Sequence, residues 1–86
     1  MAATVTITPA ARAELEWAPL VIRNRINVVF GRLEKWPAVS GAKPLRGELH
    51  GSHRIRTGAY RIVFRVSPDG QNVIVWKIGN RGTVYD

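Results

Sequence analysis

Apolar and polar residues alternate near both ends of the chain and recur at helical spacing between them. Thr4 to Thr8 (TVTIT) alternates β-branched residues and predicts a short strand. Thr8 followed by Pro9 reads as a helix start, with the hydroxyl as cap and proline at the first helical position. That helix spans Pro9 to Trp17 and ends before Pro19. A second begins near Pro19 and runs to about Lys35, with Ile22, Ile26, Val29, Phe30 and Leu33 forming one buried stripe. Pro37 closes it, and Ala38 to Pro44 is a loop.

Leu45 to Ser52 (LRGELHGS) holds two glycines and no clear period, so it reads as a connector. Three strands follow. Ser52–Arg56 joins Ala59–Ser67 through the two-residue turn Thr57-Gly58. The second strand joins Asn72–Ile78 through Pro68-Asp69-Gly70, a strong turn signal. Gly79 to Asp86 is a short tail. No repeat or low-complexity segment interrupts this order. It predicts an α+β fold: an N-terminal strand, two helices, then a three-stranded antiparallel meander, with the helices on one sheet face. Eighty-six residues have room for one domain, residues 1–86. Its core stabilises it by only a few kcal/mol.

Closing the two hairpins at their turns sets a register. Arg54 then faces Arg61, Ile55 faces Tyr60, Phe64 faces Ile74, Ile62 faces Trp76, and Arg61 faces Lys77. Side chains alternate between faces along a strand. The core face is expected to carry Ile55, Tyr60, Ile62, Phe64, Val66, Ile74, Trp76 and Ile78. The other face is expected to carry Arg54, Arg56, Arg61, Arg65 and Lys77, with Val63, Val73 and Val75. Arg54, Arg61 and Lys77 form a row whose members sit about 5 Å apart. Like charges at that distance repel by roughly 1 kcal/mol per pair even in water. Folding alone does not ask for such a row, whereas an anion lying across it would remove the cost.

Charge sharpens this expectation. Thirteen Lys and Arg stand against six Asp and Glu, a net of +7. Most of the cations are arginine, whose planar guanidinium donates bidentately to phosphate or carboxylate. Between Leu49 and Pro68 lie four arginines and no acid. A block of one sign suggests a polyanionic partner, either nucleic acid or an acidic protein. Net charge alone is equally compatible with a solvated basic surface.

Composition also narrows the field. Without cysteine there is no disulfide framework and no Cys-based zinc site. Two histidines do not make a metal-ligand set, so no metal and no cofactor are expected. No apolar run approaches the ~20 residues of a membrane span, and no secretory signal opens the chain. A cytoplasmic location without membrane contact is the expectation.

From Lys43 to Tyr85 the chain reads KPLRGELHGSHRIRTGAYRIVFRVSPDGQNVIVWKIGNRGTVY. It contains a Leu45-Arg46-Gly47 connector, a basic strand, Tyr60-Arg61-Ile62-Val63-Phe64, an apolar strand, and Gly79-Asn80-Arg81 followed by Tyr85. In this order and spacing the stretch resembles the RelE/ParE superfamily of bacterial toxins from type II toxin–antitoxin pairs. The upstream strand and helix pair agrees with that family's fold.

The resemblance to the RelE branch implies a ribosome-dependent endoribonuclease that inhibits translation. The 2′-hydroxyl of one messenger RNA nucleotide attacks the next phosphate. The products are a cyclic phosphate and a free 5′-hydroxyl. The family's working positions match Arg54, Arg56, Arg61, Arg81 and Tyr85 as catalytic residues. Lys43, Arg46, Arg65 and Lys77 are the further RNA-binding candidates. Arg61 is the expected clamp on the scissile phosphate, Arg81 the stabiliser of the leaving oxygen, and Tyr85 a stacking or orienting group. Expected partners are a cognate antitoxin, in a hetero-oligomer, and the ribosome with its message.

The family often has lysines in the first basic strand, and a lysine of lowered pKa can accept a proton. Arginine at positions 54 and 56 stays protonated. Either another group takes the proton or catalysis rests on positioning and charge. His53 points to the core face by alternation and reads as a packing residue. His50 lies in the connector and is either a catalytic candidate or simply exposed. Glu48 is a proton acceptor if the connector folds over the site. Two other readings stay open: a ParE-like poison of DNA gyrase, which typically lacks the full basic set, and a non-catalytic module that binds antitoxin or RNA.

Overall fold

The computed structural model describes residues 2–80. The elements are β1 (Thr4–Ile7), α1 (Pro9–Trp17), α2 (Leu20–Leu33), β2 (Lys43–Pro44), a single 3-10 turn (Gly47–Leu49), β3 (Ser52–Thr57), β4 (Tyr60–Val66) and β5 (Asn72–Asn80). The helix start is as expected: the Thr8 hydroxyl accepts the Ala11 N–H at 3.2 Å, with Pro9 in the first turn. Ala18 is extended because proline follows it. On α2, Ile26, Val29 and Leu33 are buried, and Ile22 and Phe30 pack at the edge of the same cluster.

The strands form one sheet in the order β1-β5-β4-β3-β2. The expected meander β3-β4-β5 is its centre. β1 adds in parallel beside β5, with Thr4 N–H donating to the Gln71 carbonyl at 2.8 Å and Thr8 N–H to Val75 at 2.9 Å. At the other edge the end of the loop expected over Ala38 to Pro44 forms a short strand, β2. Lys43 and Pro44 pair antiparallel with Arg54 and His53. Among the described residues no helix is long and apolar enough to cross a membrane.

The register differs from expectation at both hairpins. The first turn is Gly58-Ala59, not Thr57-Gly58, so Thr57 pairs with Tyr60 and Arg56 with Arg61. Gly58 supplies the positive φ, +59°, that a two-residue loop needs at its first position. This slip of two residues keeps every side chain of β3 and β4 on its expected face. The second hairpin slips by one. Asp69 accepts the Ser67 hydroxyl at 2.5 Å and the Gln71 N–H at 2.9 Å, which draws Gln71 into the loop. The Ser67 hydroxyl, then the Gln71 N–H, hold the Asp69 carboxyl below its ordinary range.

A one-residue slip inverts a strand. Phe64 therefore pairs with Val75 and Val66 with Val73. Val73 and Val75, expected on the basic face, are fully buried in the main core. Ile74 and Trp76 leave the core face. A bulge opposite Val63/Phe64 absorbs one residue of β5, so Lys77 pairs with Val63 and Ile78 returns to the core opposite Ile62.

Trp76 thus crosses to the far side of the sheet. There it packs with Val63, Leu45 and Leu49 in a second, smaller cluster, and its indole N–H donates to the Ser52 hydroxyl at 3.2 Å. His53 keeps its expected place on the core side. It stands edge-on to Trp36 at 4.9 Å and stacks on Phe64 at 5.6 Å.

Candidate nucleic-acid interface

The sheet face away from the helices carries the candidate site. Strand alternation puts Arg54 and Arg56 on that face of β3, and Arg61 and Arg65 on that face of β4. The expected row Arg54–Arg61–Lys77 is replaced by two. One runs Lys43–Arg54–Val63–Lys77, and the next runs Arg56–Arg61–Gly79. Arg56 and Arg61 are direct cross-strand neighbours, and Arg54 lies diagonal to Arg61, roughly 7–8 Å away in a sheet. Three of the sequence-derived arginines are therefore gathered on one patch. Arg65 lies toward the other end of β4, paired with Ser52 and Ile74. Arg81 and Tyr85 lie outside the described residues.

Burial divides these cations. Arg54 and Arg61 are only 6% and 3% exposed, while Arg56 and Arg65 reach solvent. Burial does not discharge a guanidinium, so positions 54 and 61 are fixed positive charges beneath the surface. The exposed arginines are the ones a ligand meets first.

Lys77 is drawn away from this patch. Its ammonium donates to Glu14 Oε2 at 2.7 Å, and the other oxygen of that carboxylate accepts the Ile78 N–H at 3.1 Å. The reason is local. β1 ends at Ile7, opposite Val75, so among the described residues no strand continues along the outer edge of β5 beyond that point, and α1 packs beside it. Glu14 supplies the acceptor the edge lacks. Glu14 and Lys77 are 63 residues apart, so no sequence pattern announced the pair.

Beside the patch, the connector folds back to form a cleft of about 510 Å³. Lys43, Pro44, Leu45, Arg46, Glu48, Leu49 and Arg54 line it. It exists because Lys43 and Pro44 pair with β3, the Leu45 N–H donates to the Ser52 carbonyl at 2.8 Å, and Leu45 anchors in the small cluster under Trp76. The 3-10 turn then carries Glu48 onto the cleft wall beside three cations, Lys43, Arg46 and Arg54. His50 follows that turn, exposed, and is not part of the cleft lining.

His53 sits on the opposite side of the sheet. Burial lowers its pKa below 6.5, and its Nδ1 is buried with no hydrogen-bond partner among the described residues. It is a packing residue. Among the described residues no three His, Cys, Asp or Glu side chains come together in a way that would hold a metal.

What the arrangement offers is a shallow basic surface of guanidinium groups on a rigid sheet, with one carboxylate on the adjoining cleft. Such a surface binds a phosphate chain through charge and bidentate donation.

Known proteins share this framework. A family profile for the ParE toxin of the type II toxin-antitoxin system, parDE, matches residues 5–85. The chain is 33% identical over 83 residues to Toxin RelG of Mycobacterium tuberculosis, covering 95% of this chain and 94% of that protein. It is 35% identical over 82 residues to Toxin RelE of the same organism, covering 94% and 84%. In the crystal structure of the M. tuberculosis toxin-antitoxin complex RelBE2, one chain matches this fold with a TM-score of 0.82 at 32% identity, over 94% of this chain and all of that one.

Proposed function

Because this chain belongs to the RelE/ParE family of toxins from type II toxin–antitoxin systems, we propose that it cuts messenger RNA on the ribosome and is held inactive by a cognate antitoxin in a hetero-oligomer. The observation that carries the nuclease reading is the cross-strand pair Arg56–Arg61 with Arg54 diagonal to it on the same face. A phosphorane-like transition state carries more negative charge than the diester it forms from. Cations fixed in advance on a sheet stabilise it without having to reorganise.

In this reading the 2′-oxygen attacks phosphorus as its proton leaves, and the bond from phosphorus to the 5′-oxygen breaks. The departing oxygen takes up a proton, giving a cyclic phosphate and a 5′-hydroxyl. Arg56 meets the strand from solvent. Arg54 and Arg61 bear on the scissile phosphate as charges fixed beneath the surface. Arg81 stabilises the departing oxygen, and Tyr85 stacks on a base or orients the attacking hydroxyl. Lys43, Arg46 and Arg65 hold the flanking backbone. Arginine at 54 and 56 does not accept the 2′ proton, and Glu48 is the carboxylate on the adjoining cleft that does. Acting on the ribosome places the chain in the cytoplasm.

Primer extension on ribosomes programmed with a message tests this. The native chain is expected to produce discrete cuts. Arg56→Ala and Arg61→Ala are each expected to lose about 10²–10³-fold in cleavage, as removal of one transition-state donor does elsewhere. Unchanged cleavage in the double variant overturns the assignment. The matching profile is a ParE one, which keeps the gyrase-poison reading in view; broken DNA with intact messages would select it.

A further inference from the structure

The bulge in β5 falls at Trp76: Val75 pairs with Phe64 and Lys77 with Val63, and the residue between them has no place in the ladder. From there the two side chains part. Lys77 turns off the sheet edge to Glu14, whereas Trp76 turns inward across β4, where its indole N–H donates to the Ser52 hydroxyl of β3 at 3.2 Å. β5 and β3 are two strand spacings apart, roughly 10 Å, so the indole lies along the sheet face and does not stand up from it. Bulges re-aim side chains and are common beside functional sites. This one takes a cation off the basic face and lays an aromatic ring across it.

Packing explains only part of this. The cluster under Trp76 has two buried members, Leu45 and Val63, which an aliphatic side chain covers as well. The tryptophan itself stays partly exposed, and its one polar atom is satisfied by a fully buried serine. It is therefore an aromatic group held in one orientation at the surface. Its surroundings are cationic. Along β4 the outward positions read Arg61, Val63, Arg65, and Trp76 packs on the valine between the two arginines. Exposed Arg56 stands beside Arg61 at one end, and Arg65 is itself exposed at the other. Four residues of strand separate Arg61 from Arg65 by roughly 13 Å. Consecutive phosphates of a single strand lie closer together than that, so a strand bridging the two arginines carries a nucleotide over Trp76. Cations that track the backbone, with an aromatic ring between them, are how unpaired nucleic acid is held.

We propose that Trp76 is a stacking platform for one unpaired base of the bound message, between phosphates held at the Arg56–Arg61 pair and at Arg65. This rests on the reading of the basic face as an RNA surface but not on the cleavage chemistry. Every base has a π-face, so the platform adds affinity without choosing a sequence. It also pins the strand at a second point, which keeps the phosphate at Arg56 and Arg61 from sliding along the sheet.

The test uses the free toxin and a short single-stranded 2′-O-methyl RNA, which lacks the attacking hydroxyl and is not cut. Trp76 is one of three tryptophans, and its fluorescence is isolated by comparison with Trp76→Phe. The RNA is expected to quench it, and an abasic strand of the same length and charge is expected to bind without doing so. Trp76→Leu keeps the cluster apolar and is expected to weaken RNA binding about 5- to 150-fold, the range for loss of one stacked base. Trp76→Phe keeps a ring and should retain most of the affinity. The quenching measurement stands even if the leucine variant does not fold. Equal quenching by the abasic strand, or unchanged RNA affinity in a folded leucine variant, overturns the proposal. So does loss of antitoxin affinity in that variant with RNA affinity intact, which would make Trp76 a partner contact instead. A message left uncut by a chain whose Trp76 is quenched would defeat the nuclease reading and leave this one standing. Efficient cutting with Trp76 unquenched would do the reverse.

Discussion

The two faces of the sheet are built to opposite rules. Against the helices, Ile55, Ile62, Phe64, Val73, Val75 and Ile78 close a continuous aliphatic core with Ile26, Val29 and Leu33. On the other side a far smaller cluster, Leu45 and Val63 under Leu49 and Trp76, is bordered by arginines. The first face supplies most of the buried apolar residues and so holds the strands in place. The second uses that rigidity to hold like charges closer than they would settle on a flexible loop. Stability and proposed chemistry thus reside in the same strands, alternating residue by residue.

Substitutions on the two faces should separate these roles. The largest effect is expected at Phe64, which is fully buried. Phe64→Ala should cost about 3–5 kcal/mol, enough to leave a domain of this size largely unfolded in a thermal or urea melt. A cooperative native-like transition in that variant would mean that the helix-covered face is not what holds the fold.

Glu48→Gln belongs to the other side. It should lower cleavage on programmed ribosomes by roughly 10²–10⁴-fold, the range for loss of a proton acceptor. Melting temperature and message binding should be unchanged, and Glu48→Asp should recover part of the rate. Full activity in the glutamine variant would return the acceptor role to another group.

Lys77→Gln sharpens the boundary between the faces. With its ammonium on Glu14, the lysine should contribute no more than about 1 kcal/mol to stability, since both partners are about a third exposed. Its loss should leave the salt dependence of RNA binding unaltered. A decrease of about 0.7 in the slope of log affinity against log salt would show that Lys77 does contact a phosphate.

The smallest effect concerns pH. Burial favours the neutral form of His53 in the folded chain, so the unfolded chain binds the proton more readily. That contribution to stability is complete above about pH 6.5, the ordinary histidine value, and is lost as pH falls through the lower folded value. Melting temperature should decline on acidification through this window, and His53→Phe should flatten the decline. An identical pH profile in the variant would place the titration elsewhere.

Much of the proposed site was legible in the chain because period-two alternation does not depend on register detail. A slip of two residues at Gly58 left Arg54, Arg56 and Arg61 on one face, though it changed which of them are neighbours. The Glu14–Lys77 pair was not legible, because it joins a helix to a strand end only after β1 has stopped short of it. Nor was the cleft. Its wall depends on Leu45 reaching Val63 and Trp76, and the alternation rule had assigned Trp76 to the opposite face.

By itself the sequence determined the two helices, the Thr8 cap of the first, the strand order of the meander, and a basic side for β3 and β4. Those follow from local periodicity, proline and glycine, which act within a few residues. Tertiary structure alone decided which side of β5 is buried, where β1 joins the sheet, and which cation is neutralised. The hydrogen bonds of Asp69 and the bulge in β5 shift the ladder by one residue each, and only packing across the sheet selects between registers that local propensity leaves nearly equal.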